Sequence, residues 1–307
     1  MSLAANPRQY VIKFIFIGIA AVMLLRLFFL QIFEDKYKVM ANDIAIYRKV
    51  VYPPRGVIYD RKGKVMLYNQ VVYDLMVTPN TVSKKLDTAA LCDVLSINIP
   101  TFEKLLDKIR IKNGPMRKGA LIEELTPAQT ARFQENIYLF PGFELAERHI
   151  RSYPNASAGM VLGYIGEVSP GMLQKDRYAS YNQGDYTGLV GLESQYEEVL
   201  RGIRGVYFLE RDNFNRPRDP YKGGTLDTPA VAGRSLELYL DAELQEYGEK
   251  LMANKIGSVV AIDPKTGGIL SLISAPTYDP NMLKGRERSR NFSKLYLDAT
   301  HPLLNRA

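Results

Sequence analysis

The sequence predicts an α+β fold that follows a single membrane-spanning helix at the N-terminus. Three observations support this: a 23-residue apolar run at 11–33, β-rich runs and capped helices between 55 and 136, and a strand–helix–hairpin pattern after residue 230. With 307 residues, 46% of them apolar and 24% charged, the chain is large enough to bury a core. The predicted divisions are a tail at 1–10, the membrane helix at 11–33, an elongated mixed α/β domain at 34–229 and an incomplete second domain at 230–307.

The first predicted element is the membrane helix, which reads VIKFIFIGIAAVMLLRLFFLQIF. It would be about 34 Å long at 1.5 Å per residue, enough to cross a bilayer with some tilt. A cleaved signal peptide has a shorter apolar core and a small-residue cleavage site, whereas EDKYKVM follows this run. Arg8 and Lys13 flank the front of the run, and Glu34 and Asp35 follow it, so the positive-inside rule places the N-terminus in the cytoplasm.

Arg26 interrupts the apolar run near its outer end. Its side chain either reaches the interface along its own aliphatic stem or faces a partner protein within the membrane. Gly18, Ala20 and Ala21 form a small-residue face suited to helix packing. The sequence leaves both interpretations of Arg26 open.

Composition excludes several classes of function. The net charge of +7 is scattered, without zinc-finger spacing or an RNP-like aromatic string, so membrane lipid is the expected anionic partner and nucleic acid is not. The single cysteine, Cys92, rules out an internal disulfide and is predicted to be a buried small hydrophobe. With only His149 and His301, a Cys/His zinc site is not expected, and no cofactor is predicted.

Between 55 and 136 the sequence predicts paired strands followed by helices. RGVIYDRKGKVMLYN (55–69) contains two β-rich runs around a DRKG turn. Asp87 is predicted to cap one helix and Thr101 the next. Thr126, with Pro127 and Gln129 after it, forms a capping box that predicts a helix over 127–136.

Residues 188–205 read GLVGLESQYEEVLRGIRG and predict a helix broken by glycines. Glu193, Glu197 and Glu198 suggest a carboxylate pair for acid/base work on a glycan. The alternative is that Glu197 and Arg201 form an exposed i,i+4 ion pair, and this structural interpretation is favoured.

The adjoining stretch 201–218, RGIRGVYFLERDNFNRPR, combines five arginines with aromatic residues. It predicts either a site for an anionic glycan or lipid pyrophosphate, or a solvated hairpin.

After residue 230 the pattern changes. LELYL predicts a strand, Asp241 a helix cap with Leu244 and Tyr247 facing inward, SVVAI a buried strand, DPKTGG a turn, and ILSLIS the partner strand. Two strands and one helix cannot close a sizeable core. The sequence therefore predicts the beginning of an antiparallel-sheet domain.

Several segments, taken in order, carry a family resemblance. Behind the anchor come RGVIYDRKG (55–63), RSYPNASAGMVLGYIGEVS (151–169), GLVGLESQYEEVLRGIRG, LDAELQ (240–245) and DPKTGGILSLISAPTYDPN (263–281). Together they resemble the class B penicillin-binding proteins. The earlier segments are similar to motifs of that family's pedestal (dimerisation-type) region, and the last to the opening hairpin of its transpeptidase domain. APTYDPN followed by DATHPLLNRA is most similar to the elongation-type members.

The resemblance implies a bacterial inner-membrane enzyme that cross-links peptidoglycan stem peptides through an acyl-serine, with penicillins acylating the same serine. That chemistry requires a Ser-x-x-Lys motif, and none occurs in the 307 residues. Lys265-Thr266-Gly267 spells another family element but lies in the turn of the first hairpin. No catalytic residue is therefore predicted in this chain, and the nucleophile is expected beyond Ala307.

The resemblance also implies structural or partner-contacting positions and a SEDS-family glycosyltransferase as partner in the membrane. Turn and ion-pair chemistry is the alternative account of the same positions. They are Arg26 in the anchor, Arg55, Gly56, Asp60 and Arg61 in the first motif, and Gly188, Gly191 and Glu193 in the later one.

Two hypotheses follow for the protein as a whole. The first is the front part of an anchored D,D-transpeptidase, with this chain inactive by itself. The second is a non-catalytic pedestal that scaffolds or activates a glycosyltransferase. The first is favoured, since a chain ending here would leave apolar strands such as VVAI exposed to self-association.

Overall fold

The computed structural model describes residues 7–32, 46–83, 86–212 and 217–307. The chain divides into two compact units, one formed by 1–52 with 204–230 and the other by 53–203 with 231–307. The helices are α1 (Pro7–Ile32), α2 (Thr88–Leu95), α3 (Ile99–Asn113), α4 (Pro127–Asn136), α5 (Gly159–Leu162), α6 (Gly191–Gln195), α7 (Glu197–Leu200), α8 (Ala242–Leu251) and α9 (Arg288–Leu297).

Strands make up most of the remaining regular structure. They are β1 (Ile46–Val51), β2 (Ile58–Tyr59), β3 (Val65–Val77), β4 (Gly119–Leu125), β5 (Phe143–Ser152), β6 (Ile165–Glu167), β7 (Tyr186–Gly188), β8 (Gly205–Arg211), β9 (Pro217–Pro220), β10 (Leu236–Glu237), β11 (Gly257–Ile262) and β12 (Ile269–Ala275). The prediction of a mixed α and β fold is confirmed.

The first unit contains α1 and an antiparallel sheet in the order β1-β8-β9. The β8–β9 pairing confirms a hairpin within the arginine-rich stretch. Within the described residues, no helix has both the length and the apolar character that a membrane span requires. The anchor predicted at 11–33 ends at a residue outside the described ranges, and it stays a prediction.

The second unit is built on the 13-residue strand β3. Its first residues pair with β2, which β10 joins in parallel, and its later residues pair with β4. β5 pairs antiparallel with β3 over ten residues, from Tyr68 opposite Ser152 to Val77 opposite Phe143. Because β3 runs through the whole arrangement, it connects two separate apolar cores.

Three apolar clusters stabilise the second unit. The first cluster comprises Leu75, Val77, Leu91, Cys92, Leu95, Phe102, Leu106, Ile109, Leu121, Leu125, Phe133, Phe140 and Phe143. The second cluster comprises Ile58, Met66, Leu67, Tyr153, Ala158, Leu162, Leu200, Leu240 and Ala242. The third cluster comprises Tyr164, Tyr278, Leu283 and Leu295. The predicted burial of Cys92 is confirmed.

Local capping signals were reliable with one exception. Asp87 accepts the backbone N–H of Ala90 at the start of α2, and Thr126 forms the predicted capping box at the start of α4. The predicted cap at Thr101 is wrong: Asn98 caps α3 and accepts the N–H of Thr101 itself. Both residue types suit an N-cap, and the helix begins one turn earlier than expected.

The predicted hairpin after residue 255 is confirmed as the antiparallel pair β11–β12. The predicted burial of its first strand is wrong, because Val259, Val260 and Ile262 are 45%, 44% and 56% exposed. Asp241 caps α8 as expected. Leu244 and Tyr247 were expected to face inward, yet both are exposed. Ala242 and Gln245 are buried instead, since Gln245 bonds the backbone of β12.

Candidate functional site

Four charged side chains from three distant segments meet inside the second unit. Arg55 precedes β2, Arg151 lies in β5, and Glu193 and Glu197 come from α6 and α7. Arg55 Nη2 lies 2.6 Å from both Glu193 Oε2 and Glu197 Oε2, and Arg55 Nη1 donates to Glu197 Oε1 at 3.1 Å. We call these four residues the Arg/Glu cluster.

Arg151 is almost completely buried, with a side chain only 2% exposed. Its Nε donates to Glu193 Oε1 at 2.5 Å, and its Nη1 donates to the Gly56 carbonyl at 2.9 Å and to Asn69 Oδ1 at 3.0 Å. Asn69 in turn donates to the Arg55 carbonyl at 2.5 Å. Arg151 therefore connects the first motif, strand β3 and the later motif at one point.

Glu197 closes the other side of the Arg/Glu cluster. It accepts the backbone N–H of Gly188 at 2.8 Å and the hydroxyl of Tyr181 at 2.8 Å. The predicted exposed pair with Arg201 is wrong, because Glu197 is buried against Arg55 while Arg201 stacks 5.1 Å from the Tyr181 ring centroid. Helical spacing suggested a local partner, but the distant arginine is the one that is buried with it.

Charge neutrality allows this arrangement, since two guanidinium groups face two carboxylates. Burial opposes ionisation of Glu197, but its hydrogen bonds from Arg55 hold the pKa below the ordinary value. The pKa of Arg55 is raised above its usual range. Burial by itself would lower it, but the charges of Glu193 and Glu197 outweigh that effect. Burial, with the nearby charge of Arg55, lowers the pKa of Arg151 despite Glu193.

Two glycines of the predicted set lie where no side chain fits. A Cβ at Gly56 would overlap the Arg234 carbonyl, and one at Gly188 would overlap the Glu193 carbonyl. Gly191 adopts a φ of +61°, which favours glycine. The close approach of these backbones brings the Arg/Glu cluster together.

The DRKG turn forms a second polar contact point, centred on Asp60. Asp60 is buried; its Oδ1 accepts the N–H groups of Lys62 and Lys64 at 2.8 and 2.7 Å, and its Oδ2 accepts that of Ala242 at 3.2 Å. The Arg61 N–H donates to the Leu240 carbonyl at 3.0 Å. The turn thus holds the first turn of α8.

The structure brings Arg55, Gly56, Gly188 and Glu193 together, and it places Asp60 and Arg61 at the α8 contact. Arg26 lies exposed in α1. Sequence reasoning missed Arg151, Asn69 and the role of Glu197, although Arg151 opens the quoted RSYP segment.

The arrangement suits rigid positioning rather than chemistry. Its charges are neutralised in place. In the described part of the chain no group of three or more His, Cys, Asp or Glu residues is arranged to hold a metal ion.

Comparison with known protein families identifies this architecture. Residues 50–238 match the penicillin-binding protein dimerisation domain, and the chain belongs to that family. The matched range contains every member of the Arg/Glu cluster and the DRKG turn. The resemblance to penicillin-binding proteins drawn from the motifs is confirmed.

Among curated proteins, the chain is similar to the peptidoglycan D,D-transpeptidase MrdA. It is 34% identical to MrdA of Escherichia coli K12 over 306 residues, covering 95% of this chain and 47% of that protein. Identity to MrdA of Salmonella typhimurium SL1344 is 32%, covering 93% and 46%. For Haemophilus influenzae it is 30%, covering 95% and 46%. The chain spans about half the length of the curated relatives it matches.

Solved structures show the same fold. One neighbour comes from a complex between penicillin-binding protein PBP2 and MreC of Helicobacter pylori, with a TM-score of 0.64, 24% identity, and coverage of 85% of this chain and 49% of that one. Another comes from a study of polymerisation and crosslinking by a peptidoglycan synthase complex, with a TM-score of 0.60, 25% identity and coverage of 99% and 52%.

Proposed function

We propose that this chain is the membrane-proximal part of a peptidoglycan D,D-transpeptidase that cross-links stem peptides during wall elongation. The observation that carries the proposal is the Arg/Glu cluster, in which three family-like segments converge on buried ion pairs. Similarity to MrdA along 95% of the chain supports the reaction class. In this proposal the dimerisation domain is a rigid pedestal.

The pedestal's task is to hold the strand–helix–hairpin that follows it. Asp60 and Arg61 bind the backbone at Leu240 and Ala242, and Asn281 binds both backbone groups of Tyr153, at 2.9 and 3.2 Å. These contacts join the dimerisation domain to residues 240–281 at two separate points. A catalytic domain built on that hairpin would be fixed relative to the pedestal.

We place the nucleophile outside this chain. The 307 residues contain no Ser-x-x-Lys, and the relatives extend over about twice the length matched here. In the proposed reaction a serine hydroxyl attacks the penultimate D-Ala carbonyl, the terminal D-Ala leaves, and an amine of a neighbouring strand accepts the acyl group. This chain supplies position and anchoring to that reaction, and it is inactive alone.

We also propose that residues 11–33 anchor the protein in the bacterial inner membrane, with most of the chain on the periplasmic side. The 23-residue apolar run supports this, as do the exposed Phe and Leu side chains around α1. A SEDS-family glycosyltransferase beside this anchor is the proposed partner. Protease protection of the N-terminus, but not of residues 46–307, in sealed inner-membrane vesicles of periplasm-out orientation would test the topology.

Covalent penicillin labelling tests the enzymatic proposal. The 307-residue chain and the product of the reading frame continued past Ala307 would each be incubated with a fluorescent penicillin and run on a denaturing gel. The expected result is a labelled band for the longer product alone. A band from the 307-residue chain would contradict the predicted inactivity, and no band from either product would remove the transpeptidase proposal.

A second candidate function is a non-catalytic pedestal that scaffolds or activates a glycosyltransferase. In this alternative the buried Arg/Glu cluster holds the same rigid pedestal, and that pedestal serves only to contact the partner. The reading frame past Ala307 separates the two proposals. A Ser-x-x-Lys within roughly twenty residues supports the enzyme, because this motif carries the serine nucleophile. A stop codon there supports the scaffold.

A further inference from the structure

Glu124 has an unusual backbone for its position in a strand. It lies near the end of β4 with a φ of +56°, in the left-handed region that glutamate rarely adopts. The pairing of β4 with β3 shifts register at this point. Strained positions of this kind persist where surrounding contacts hold them and often mark functional contacts.

Neighbouring side chains stabilise this conformation. The buried Asp74 of β3 accepts the Glu124 N–H through Oδ1 at 2.8 Å. Arg148 of β5 donates to Asp74 at 2.7 and 3.1 Å and to Glu124 Oε1 at 3.4 Å. Asp74 thus fixes the backbone of Glu124, and Arg148 contacts its carboxylate.

The carboxylate reaches the turn before α9. Glu124 Oε1 accepts the Arg286 N–H at 2.8 Å. Gly285, with a φ of +58°, lies so close that a Cβ there would overlap the carboxylate. Glu124 belongs to the strand that supplies Leu121 and Leu125 to the first cluster, whereas the turn lies between Leu283 and Leu295 of the third cluster.

The two clusters have no buried residue in common among those described, and the strand that leads from one region to the other is thinly covered. Residues 71–73 of β3 pair with 147–149 of β5, and none of these six residues is buried, whereas residues 150–152 of β5 are. A two-stranded ribbon without a packed face bends and twists readily. A contact beyond the ribbon is therefore needed to fix the first cluster relative to α9.

We propose that Glu124, oriented by Asp74 and Arg148, acts as a latch. Its carboxylate joins the first cluster to the turn at Gly285 and Arg286. When the latch is engaged, the ribbon is held in one geometry and α9 keeps a fixed position relative to β4. When it is released, both clusters stay folded and the ribbon bends between them. This inference does not depend on the proposed enzymatic function.

Two substitutions at Glu124 separate reach from backbone strain. Glu124→Asn suits a positive φ but is too short to reach Arg286, whereas Glu124→Gln keeps the reach and loses the charge. Glu123→Asn changes the exposed neighbouring carboxylate and serves as the matched control. Gly285→Ala places a methyl group where the Glu124 carboxylate lies, so it should displace that carboxylate from the turn.

Distances between spin labels on the full 307-residue chain report the latch. Labels would be placed at Glu135→Cys on α4 and Lys294→Cys on α9, both exposed, while the native Cys92 is buried. The parent should give one narrow distribution. Glu124→Asn should broaden it and accelerate hydrogen exchange at the Arg286 amide about ten- to a hundredfold, the worth of a charge-assisted hydrogen bond.

Further variants keep the test decisive. Glu124→Gln should have a smaller effect, Glu123→Asn none, and Gly285→Ala should add nothing to Glu124→Asn. An unchanged distribution and unchanged Arg286 exchange in Glu124→Asn would overturn the latch, as would equal broadening by Glu123→Asn. If the circular dichroism of Glu124→Asn shows that this variant does not fold, Glu124→Gln decides: a broadened distribution supports the latch, and an unchanged one overturns it.

Discussion

The Arg/Glu cluster and the β11–β12 hairpin lie in the same unit, yet their burial is the reverse of what polarity suggests. Glu193 and Arg151 are 0% and 2% exposed, while Val259, Val260 and Ile262 of β11 are about half exposed. The ionic groups are buried because distant segments supply their partners. The valines remain exposed because no described element covers either face of β11.

The contrast shows that burial is decided by available neighbours more than by side-chain type. Arg151 finds a carboxylate, a carbonyl and an amide within 3.0 Å. β12 supports the same conclusion within the hairpin: its Ser271, Ile273 and Ala275 are buried, and the Ser271 hydroxyl contacts Gln245 of α8. α8 packs on β12, and the side chains of β11 stay exposed to solvent.

The largest effect is expected from a substitution that breaks the Arg/Glu cluster. Glu193→Ala leaves Arg151 and Arg55 with an uncompensated buried positive charge, so the free energy of unfolding should fall by about 3–5 kcal/mol. Denaturant unfolding followed by circular dichroism measures this. Glu198→Ala, an exposed glutamate on α7, is the matched control and should change stability by less than about 0.5 kcal/mol. Equal losses in both variants would contradict the account of the cluster.

A smaller effect compares two aspartates in similar turns. Asp60 bonds the N–H groups of Lys62 and Lys64 and that of Ala242, whereas Asp263 bonds only within its own turn, at Lys265 and Thr266. Asp60→Ala should therefore cost about 2–3 kcal/mol and expose the α8 amides to exchange. Asp263→Ala should cost about 1 kcal/mol or less. Faster exchange in α8 with Asp263→Ala, and none with Asp60→Ala, would reverse the assignment.

The sequence was informative where contacts are local. Asp87, Thr126 and Asp241 cap helices through bonds that span two or three residues, so spacing alone identifies them. Asn98 and Thr101 show the limit: both residues suit a cap three positions apart, and local chemistry does not choose between them.

The site was less predictable because its partners are far apart in sequence. Arg55 and Glu193 are 138 residues apart, and Arg151 and the Gly56 carbonyl 95. No periodicity links such positions, and the helical spacing of Glu197 and Arg201 pointed to the wrong partner. The family-like motifs supplied Arg55 and Glu193, but they did not indicate how the residues meet.

Acid should weaken the Arg/Glu cluster, although Glu197 in the folded protein protonates at a lower pH than an ordinary carboxylate. The folded-state pKa of Glu197 is lowered, with burial opposing and Arg55 producing the shift, so its stabilisation is complete above its ordinary pKa of 4.5. That contribution is lost as pH falls through the folded-state pKa. Unfolding free energies measured from pH 7 to 3.5 should decline below about 4.5. In Glu197→Gln the decline should be shallower, and an identical slope would contradict the prediction.

Glu249 should titrate with the opposite sign. Burial raises its pKa although Gln245 and the Ala158 N–H donate to it. Its carboxylate therefore reduces stability once ionised, and this penalty is relieved as pH falls from above the raised pKa toward 4.5. Glu249→Gln should be relatively more stable, compared with the parent, at pH 7 than at pH 4.5.

The smallest expected effect lies on the open strand. Val260→Thr replaces a methyl group with a hydroxyl on a side chain that is 44% exposed, so the free energy of unfolding should change by less than about 0.5 kcal/mol. Ile273→Val removes one methylene from a side chain 2% exposed in the facing strand and should cost about 0.5–1.5 kcal/mol. Because β11 pairs only with β12 among the described residues, its other edge is apolar and open, and Val260→Lys should also reduce self-association in sedimentation velocity. If Val260→Thr cost as much as Ile273→Val, β11 would be covered in solution, and the contrast between the hairpin and the cluster would disappear.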